Sequence, residues 1–323
     1  MNRPQQLRSY VLIGALAAVM LLLPRAGEAQ SKVRIGLAVP NYPVYTPVYT
    51  ANELGYFKEN GLTVEITEYR GGPVAMEAAA AGAVDLFSAF PPTVGLAVKK
   101  GIKVKLVAAN LPRPGGWHLM VLKDSPIRSL KDLAGKKVAI TTKGGTTDHF
   151  ALHAAAKAGV TIQTIPVGGG GLIPALKSRQ VDAASLFDSL ALRLLVSGEG
   201  RSLIDFGKEM EPTLPDSWAA TQKFIDEQPQ LLAASLKSIF KATAYMQRNR
   251  DYSLKYVKAF MKETDDQFVQ AVYDVVIMAL TTDGMIRPEW LESSMKLARF
   301  GGITDLPSNE EVFTGRFVPV KAD

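Results

Sequence analysis

Leu130-Lys131-Asp132-Leu133-Ala134-Gly135-Lys136-Lys137-Val138-Ala139-Ile140-Thr141-Thr142-Lys143-Gly144-Gly145-Thr146-Thr147-Asp148-His149-Phe150 reads as three pieces in succession. Lys131 to Leu133 make a short turn that ends at Gly135. Lys137 to Thr141 form a strand, because β-branched Val138 and Ile140 are bounded by turn residues. Lys143-Gly144-Gly145 breaks that strand, and a helix starts at about Thr146 and runs on through Leu152 and Ala156. A strand, a glycine turn and a helix start leave several backbone N–H groups without an internal partner. Such a turn can receive a carboxylate, a sulfonate or a similar oxyanion. A plain strand–helix connection with no ligand has the same local pattern.

Working outward, the segments on both sides repeat one plan. Lys32 to Val39 is a strand, with Val33, Ile35, Leu37 and Val39 on one alternation. A turn-rich aromatic loop, Pro40 to Tyr45, leads to a helix over Val48–Leu54, and Leu62–Tyr69 is a second strand. Gly71-Gly72-Pro73 then opens an alanine-rich helix, followed by Val84-Asp85 and a short apolar strand. A second glycine run, Gly168 to Gly171, precedes a helix over Ile173–Lys177, then Val181-Asp182 and another short apolar strand. Gly72 lies thirteen positions before Asp85, and Gly169 lies thirteen before Asp182. The spacing predicts one supersecondary unit used twice, once in each of two lobes. Further strands are expected at Lys103–Ala109, Trp117–Leu122, Val160–Pro166 and Ser202–Phe206, and a return crossing at Met210–Ser217. From Gln222 the pattern is helical, with Leu232, Leu236, Ile239, Phe240 and Tyr245 marking one apolar face.

Two motifs carry a family resemblance. Leu-Lys-Asp-Leu-x-Gly-Lys-Lys-Val at 130–138, followed by the Gly/Thr-rich helix start, resembles the opening of the second lobe of a periplasmic substrate-binding protein. Leu-Gly-Tyr-Phe-x-x-x-Gly-Leu-x-Val at 54–64 is similar to the run such proteins carry after their first helix. The likeness is to the nitrate/sulfonate/taurine-type binding proteins of ABC transporters, which include binders of thiamine-pyrimidine precursors. It implies an α/β fold of the type-II-like periplasmic binding class, with two α/β lobes joined by two crossing strands. Residues 30–118 and 213–323 would form lobe 1, residues 119–212 lobe 2, and the helical C-terminal part would pack mainly on lobe 1. It also implies a monomer that closes on a small-molecule ligand by hinge motion and delivers it to an ABC permease and ATPase. A periplasmic sensor subunit on the same scaffold would look alike in sequence. An enzyme of thiamine-pyrimidine synthesis on this scaffold uses a cysteine-rich motif, and this chain has no cysteine.

Composition sets further bounds. Arg3 and Arg8 precede an apolar run from Val11 to Leu23, and small residues Gly27 and Ala29 follow, so residues 1–29 read as a cleaved signal peptide. The run falls short of the roughly 20 apolar residues of a membrane span. The expected address is the periplasm. Without residues 1–29 the chain loses Arg3, Arg8, Arg25 and Glu28, so its net charge falls from +6 to +4. No basic cluster points to nucleic acid. The absence of cysteine excludes disulfides and thiolate metal sites. His149 and His153 are four apart on a helix but lack the adjacent glutamate of a zinc-protease motif, and no metal or other cofactor is expected. No catalytic motif is present, so the chain reads as a non-enzyme.

Ligand contacts are expected in the loops at the carboxyl ends of the strands. Tyr42, Tyr45 and Phe90 would supply flat walls, with Asn41 and Pro91 beside them. Thr146 and Thr147 would supply hydroxyls and N–H donors. Gly169 and Gly170 would let the backbone approach a ligand closely. Asp188 would receive a ligand amine or hydroxyl, or hold the hinge. Trp117 could be cleft wall or core. Asp148, in the first helical turn, competes with an anion for the positive helix end, and Arg113 and Lys143 are candidate counter-charges. The ligand is expected to be a small organic molecule, sulfonate- or carboxylate-like or heteroaromatic.

Overall fold

Residues 31–321 are described by a computed structural model of the chain. The expected leader, residues 1–29, lies outside the described residues. Strands form where apolar residues alternate or run together. In β1 (Ser31–Leu37), Val33, Ile35 and Leu37 are fully buried. The strand stops two residues before its expected end because Asn41 turns the chain at a positive φ of 54° after Pro40. The other strands are β2 (Leu62–Glu68), β3 (Leu86–Ala89), β4 (Val104–Leu111), β5 (His118–Leu122), β6 (Lys137–Ile140), β7 (Gln163–Pro166), β8 (Ala183–Leu186), β9 (Gly200–Asp205) and β10 (Asp216–Thr221).

They form two five-stranded sheets, in the orders β2-β1-β3-β10-β4 and β7-β6-β8-β5-β9. The two orders are the same plan. In each, the first strand pairs in parallel with the next two of its segment, and the fourth strand in the order runs antiparallel to both of its neighbours. The repeated Val-Asp step explains part of this. The Asp85 carboxylate accepts the backbone N–H of Arg34 in β1 at 2.9 Å, and the Asp182 carboxylate accepts that of Lys137 in β6 at 2.8 Å. Each aspartate also donates its own N–H back to the same residue's carbonyl. The thirteen-residue spacing therefore marks one unit used twice.

The chain passes between the sheets at 112–117 and again at 206–215, and each passage delivers it into the antiparallel strand fourth in its sheet, β5 or β10. β10 was not expected, since 210–217 reads as crossing and the chain from 222 onward as helix. Ser217, Trp218, Ala219 and Ala220 are nevertheless almost fully buried between β3 and β4. Two alanines and a serine have weak strand propensity, so tertiary pairing makes this strand.

The main helices are α1 (Thr46–Glu53), α2 (Gly72–Ala80), α3 (Pro91–Lys99), α4 (Thr146–Ala158), α5 (Leu172–Lys177), α6 (Asp188–Val196), α7 (Pro229–Arg248), α8 (Arg250–Phe260), α9 (Asp266–Val275) and α10 (Pro288–Lys296). α3 starts three residues before the expected Val94, because Pro91 and Pro92 fit the first helical turn. In α7, Leu232, Leu236, Ile239 and Phe240 are buried against α1, while Tyr245 stays half-buried. α10 packs on α3, beside the first sheet. α9 packs on α6, and the turn Leu297–Gly301 packs on α4, so the C-terminal part also touches the second sheet's helices. The expected helix Asp265–Leu280 ends at Val275 and continues as a single 3₁₀ turn over Ile277–Ala279.

Candidate functional site

The carboxyl ends of β1, β3, β6 and β8 and the start of β10 face one another across the gap between the sheets. They line a partly open cavity of about 40 Å³. A buried water needs roughly 10–15 Å³ on this measure, so the space holds about three. From the first sheet come Val39, Tyr42 and Tyr45 after β1, Ala89 and Phe90 after β3, and Pro215 and Asp216 entering β10. From the second come Thr141, Gly145, Thr146 and Thr147 at the start of α4, Phe187 before α6, and Trp117 from the first passage.

Three hydrogen bonds cross the gap. Tyr42 Oη donates to Asp188 Oδ2 at 2.8 Å, Thr93 Oγ1 donates to the Gly144 carbonyl at 3.0 Å, and Thr146 Oγ1 donates to the Pro215 carbonyl at 3.1 Å. Tyr42 also lies against Phe187, with ring centroids 4.5 Å apart. Gly169 has the same closing role. A Cβ there would come within 2.6 Å of Val39 Cγ1, so the glycine admits the opposite loop.

The structure thus gathers Tyr42, Tyr45, Phe90, Thr146 and Thr147 of the expected set around the cavity. The other five do not line it. Asn41 is exposed, and its N–H points to Glu68. Pro91 is buried in the first turn of α3. Gly169 is taken up by Val39, and Gly170 faces solvent. Asp188 sits one layer back, wholly buried behind Tyr42 and beside Gly116, where the first passage comes close. Arg113 and Lys143 are exposed, and the Lys143 amine is turned to Thr164.

Thr147 is a local staple as well as a lining residue. Its Oγ1 accepts the Thr141 N–H at 2.9 Å and fastens the start of α4 to the end of β6. Asp148 caps the same turn, accepting the Gly144 N–H at 2.8 Å. His149 packs behind Phe90, with ring centroids 5.4 Å apart, and its Nδ1 lies 2.9 Å from the Gly145 carbonyl. Burial holds the His149 pKa below its ordinary value. His153 lies edge-on to Phe300.

Asp216 is the charged lining residue that sequence reading missed. It lines the cavity, yet its carboxylate is held from behind by the first sheet. Ser88 Oγ donates to Oδ1 at 2.5 Å and Asn110 Nδ2 to Oδ2 at 2.7 Å. Tyr45 Oη lies 2.6 Å from Ser88 Oγ and 3.3 Å from Asp216 Oδ1. Burial pushes the Asp216 pKa up to about 6 against the pull of these donors. Burial pushes Asp188 up to about 7, opposed by the Tyr42 hydroxyl, the Ser189 N–H and the nearby Trp117 indole. The only sequence signal for Asp216 was a lone carboxylate between Pro215 and the small apolar run of β10.

A family model described as NMT1/THI5 like matches residues 42–252. A chain from Brucella abortus (strain 2308), whose name marks it as a candidate binding protein, is 24% identical over 289 residues, 86% of this chain and 88% of that one. A solved structure of a protein from Bordetella bronchiseptica RB50 superposes with a TM-score of 0.79 at 24% identity, covering 90% of this chain and 96% of that one. The alkanesulfonate-binding protein of Xanthomonas axonopodis pv. citri, solved with bound MOPS, superposes with a TM-score of 0.73 at 18% identity over 90% and 96% of the two chains.

Proposed function

The chain belongs to the NMT1/THI5-like family, and on that premise we propose that it is the solute-binding component of an ABC importer. In this reading it is exported to the periplasm by its first 29 residues and acts there as a monomer. It captures a small organic molecule between its lobes, residues 30–118 with 213–323 and residues 119–212, and passes it to a permease and its ATPase. Nucleic acid plays no part in this role.

The observation that carries the reading is the small cavity between the two sheets, walled by Tyr42, Tyr45, Phe90, Trp117 and Phe187 and bridged by three hydrogen bonds. Those bridges are few, so the sheets can part by bending at 112–117 and 206–215 once they and the Arg193–Glu263 ion pair between the lobes give way. The remaining space is small, so a solute larger than a few waters enters only when they do. The candidate binding-protein relative supports solute capture, and the MOPS-bound neighbour supports the use of this architecture to enclose a small organic molecule. Among the described residues no helix is long and apolar enough to cross a membrane.

A thermal-shift screen of residues 30–323 against amines, amino acids, heteroaromatics, carboxylates and sulfonates tests the reading. A ligand at one hundred times its Kd stabilises the fold by about 2.7 kcal/mol. That is a rise of about 4 °C for a chain of this size. At least one class is expected to reach it. A flat response to every class contradicts solute capture.

A further inference from the structure

The charges around the cavity oppose the anionic ligand that the helix start at Thr146 suggests. Among its lining residues there is one carboxylate, Asp216, and no lysine or arginine. The nearest other buried charges have the same sign. Asp188 lies behind Tyr42, and Asp148 occupies the first turn of α4, where it offsets the positive helix end. His149, behind Phe90, is the nearest imidazole, and burial favours its neutral form. Arg70, two positions before the lining residue Gly72, is exposed. A carboxylate or sulfonate placed here would meet a buried charge of its own sign with no cation to balance it.

The hydrogen-bonding groups say more. Asp216 is held by Ser88, Asn110 and Tyr45, which fix its orientation and leave it acceptor-only while ionised. Its three donors use fewer sites than the roughly four lone-pair directions of a carboxylate. Trp117, a lining residue only 4% exposed, offers its ring and not its N–H, which is buried and turned towards the Asp188 carboxylate one layer back. The walls between Asp216 and Trp117 are the faces and edges of Tyr42, Phe90 and Phe187, surfaces that suit a flat body and attract a cation.

We infer that the cavity selects a flat or compact solute bearing a protonated amine or amidine-like N–H group, placed against Asp216. This rests on the solute-binding reading and narrows it to a ligand class. Its recognition differs from that of a simple sulfonate or carboxylate, which offers acceptors alone.

Matched probes test it. Benzamidine and benzoate share a shape and differ in the sign of charge, and 3-aminopropanesulfonate differs from propanesulfonate by one ammonium group. Affinities are measured by ligand-observed NMR and calorimetry for the wild type and for Asp216→Asn. The wild type is expected to bind the N–H member of at least one pair tenfold or more tighter than its partner, and Asp216→Asn is expected to reduce that preference to twofold or less. The wild-type preference alone decides the question if Asp216→Asn fails to fold. Tighter binding of benzoate or propanesulfonate overturns the inference and leaves the solute-binding reading standing. So does a preference that survives in a folded Asp216→Asn. Binding of no probe also overturns the inference, while the broader thermal-shift screen decides the solute-binding reading separately.

Discussion

Replacing Asp188 by asparagine should flatten the pH dependence of stability in the unliganded protein. Asp188 is fully buried, and its pKa stands at about 7 against an ordinary 3.8, chiefly because burial disfavours the charged form. The folded state therefore holds this proton to a higher pH than the unfolded state does. The contribution is fully present below about pH 4 and is lost as pH rises towards 7. Between pH 5 and pH 8.5 the folded pKa is crossed from two units below it. At about 1.4 kcal/mol per unit, that costs the wild type about 3 kcal/mol from this group alone. The asparagine side chain keeps a carbonyl acceptor for the Tyr42 hydroxyl and has no proton to lose. The assay is the melting temperature of wild type and Asp188→Asn at both pH values. The fall in Tm from pH 5 to pH 8.5 should be about 5 °C greater for the wild type than for the variant. Groups common to both proteins, Asp216 among them, largely cancel in that difference. Equal falls in the two proteins would refute the claim that Asp188 ionises against its surroundings.

Four other substitutions probe the closing contacts and the repeated unit. Gly169→Ala places a Cβ within 2.6 Å of Val39 Cγ1 across the gap. It should weaken solute affinity by about tenfold, or 1.4 kcal/mol, and raise the radius of gyration of the liganded protein in X-ray scattering. Asp182→Ala removes the acceptor for the Lys137 N–H and should cost about 1 kcal/mol in urea unfolding. Asp85→Ala should cost more, since Asp85 also binds the Arg34 guanidinium through Nη2 at 2.6 Å. Thr147→Ala unpins the Thr141 N–H and should lower the unliganded Tm through a loss of about 1–2 kcal/mol. An unchanged Tm would show that the Thr147 hydroxyl serves a ligand alone.

The fold was legible where local chemistry and tertiary demand agree. Val33, Ile35 and Leu37 alternate, and all three are buried. The glycine break at Gly144-Gly145 does end β6 and start α4. The two Val-Asp steps sit at equivalent places because each aspartate closes the same backbone bond. β10 was illegible because Trp218 stands alone among small and polar residues and the strand's pairing comes from two neighbours far away in sequence. The site was half legible for a related reason. Aromatic and hydroxyl residues on strand-end loops stand out, and five of them do line the cavity. The glycines at 169 and 170 carry no sign of whether they admit a ligand or an opposing loop, and only the position of Val39 decides it. Asp216 stands 128 positions from Ser88 and 106 from Asn110, so nothing local announces the network that aims it.

On the proposed function, a solute binds in the cavity between the sheets. Thr146 lines that cavity and is only half-buried, so Thr146→Phe fills the space with little demand on the core. The direct measurement is a calorimetric titration of the tightest solute from the thermal-shift screen into wild type and Thr146→Phe, with a melting curve to show that the variant folds. Binding in the cavity predicts a loss of at least a hundredfold, about 2.7 kcal/mol. Equal affinity in a folded variant would place the solute elsewhere on the protein and contradict the account.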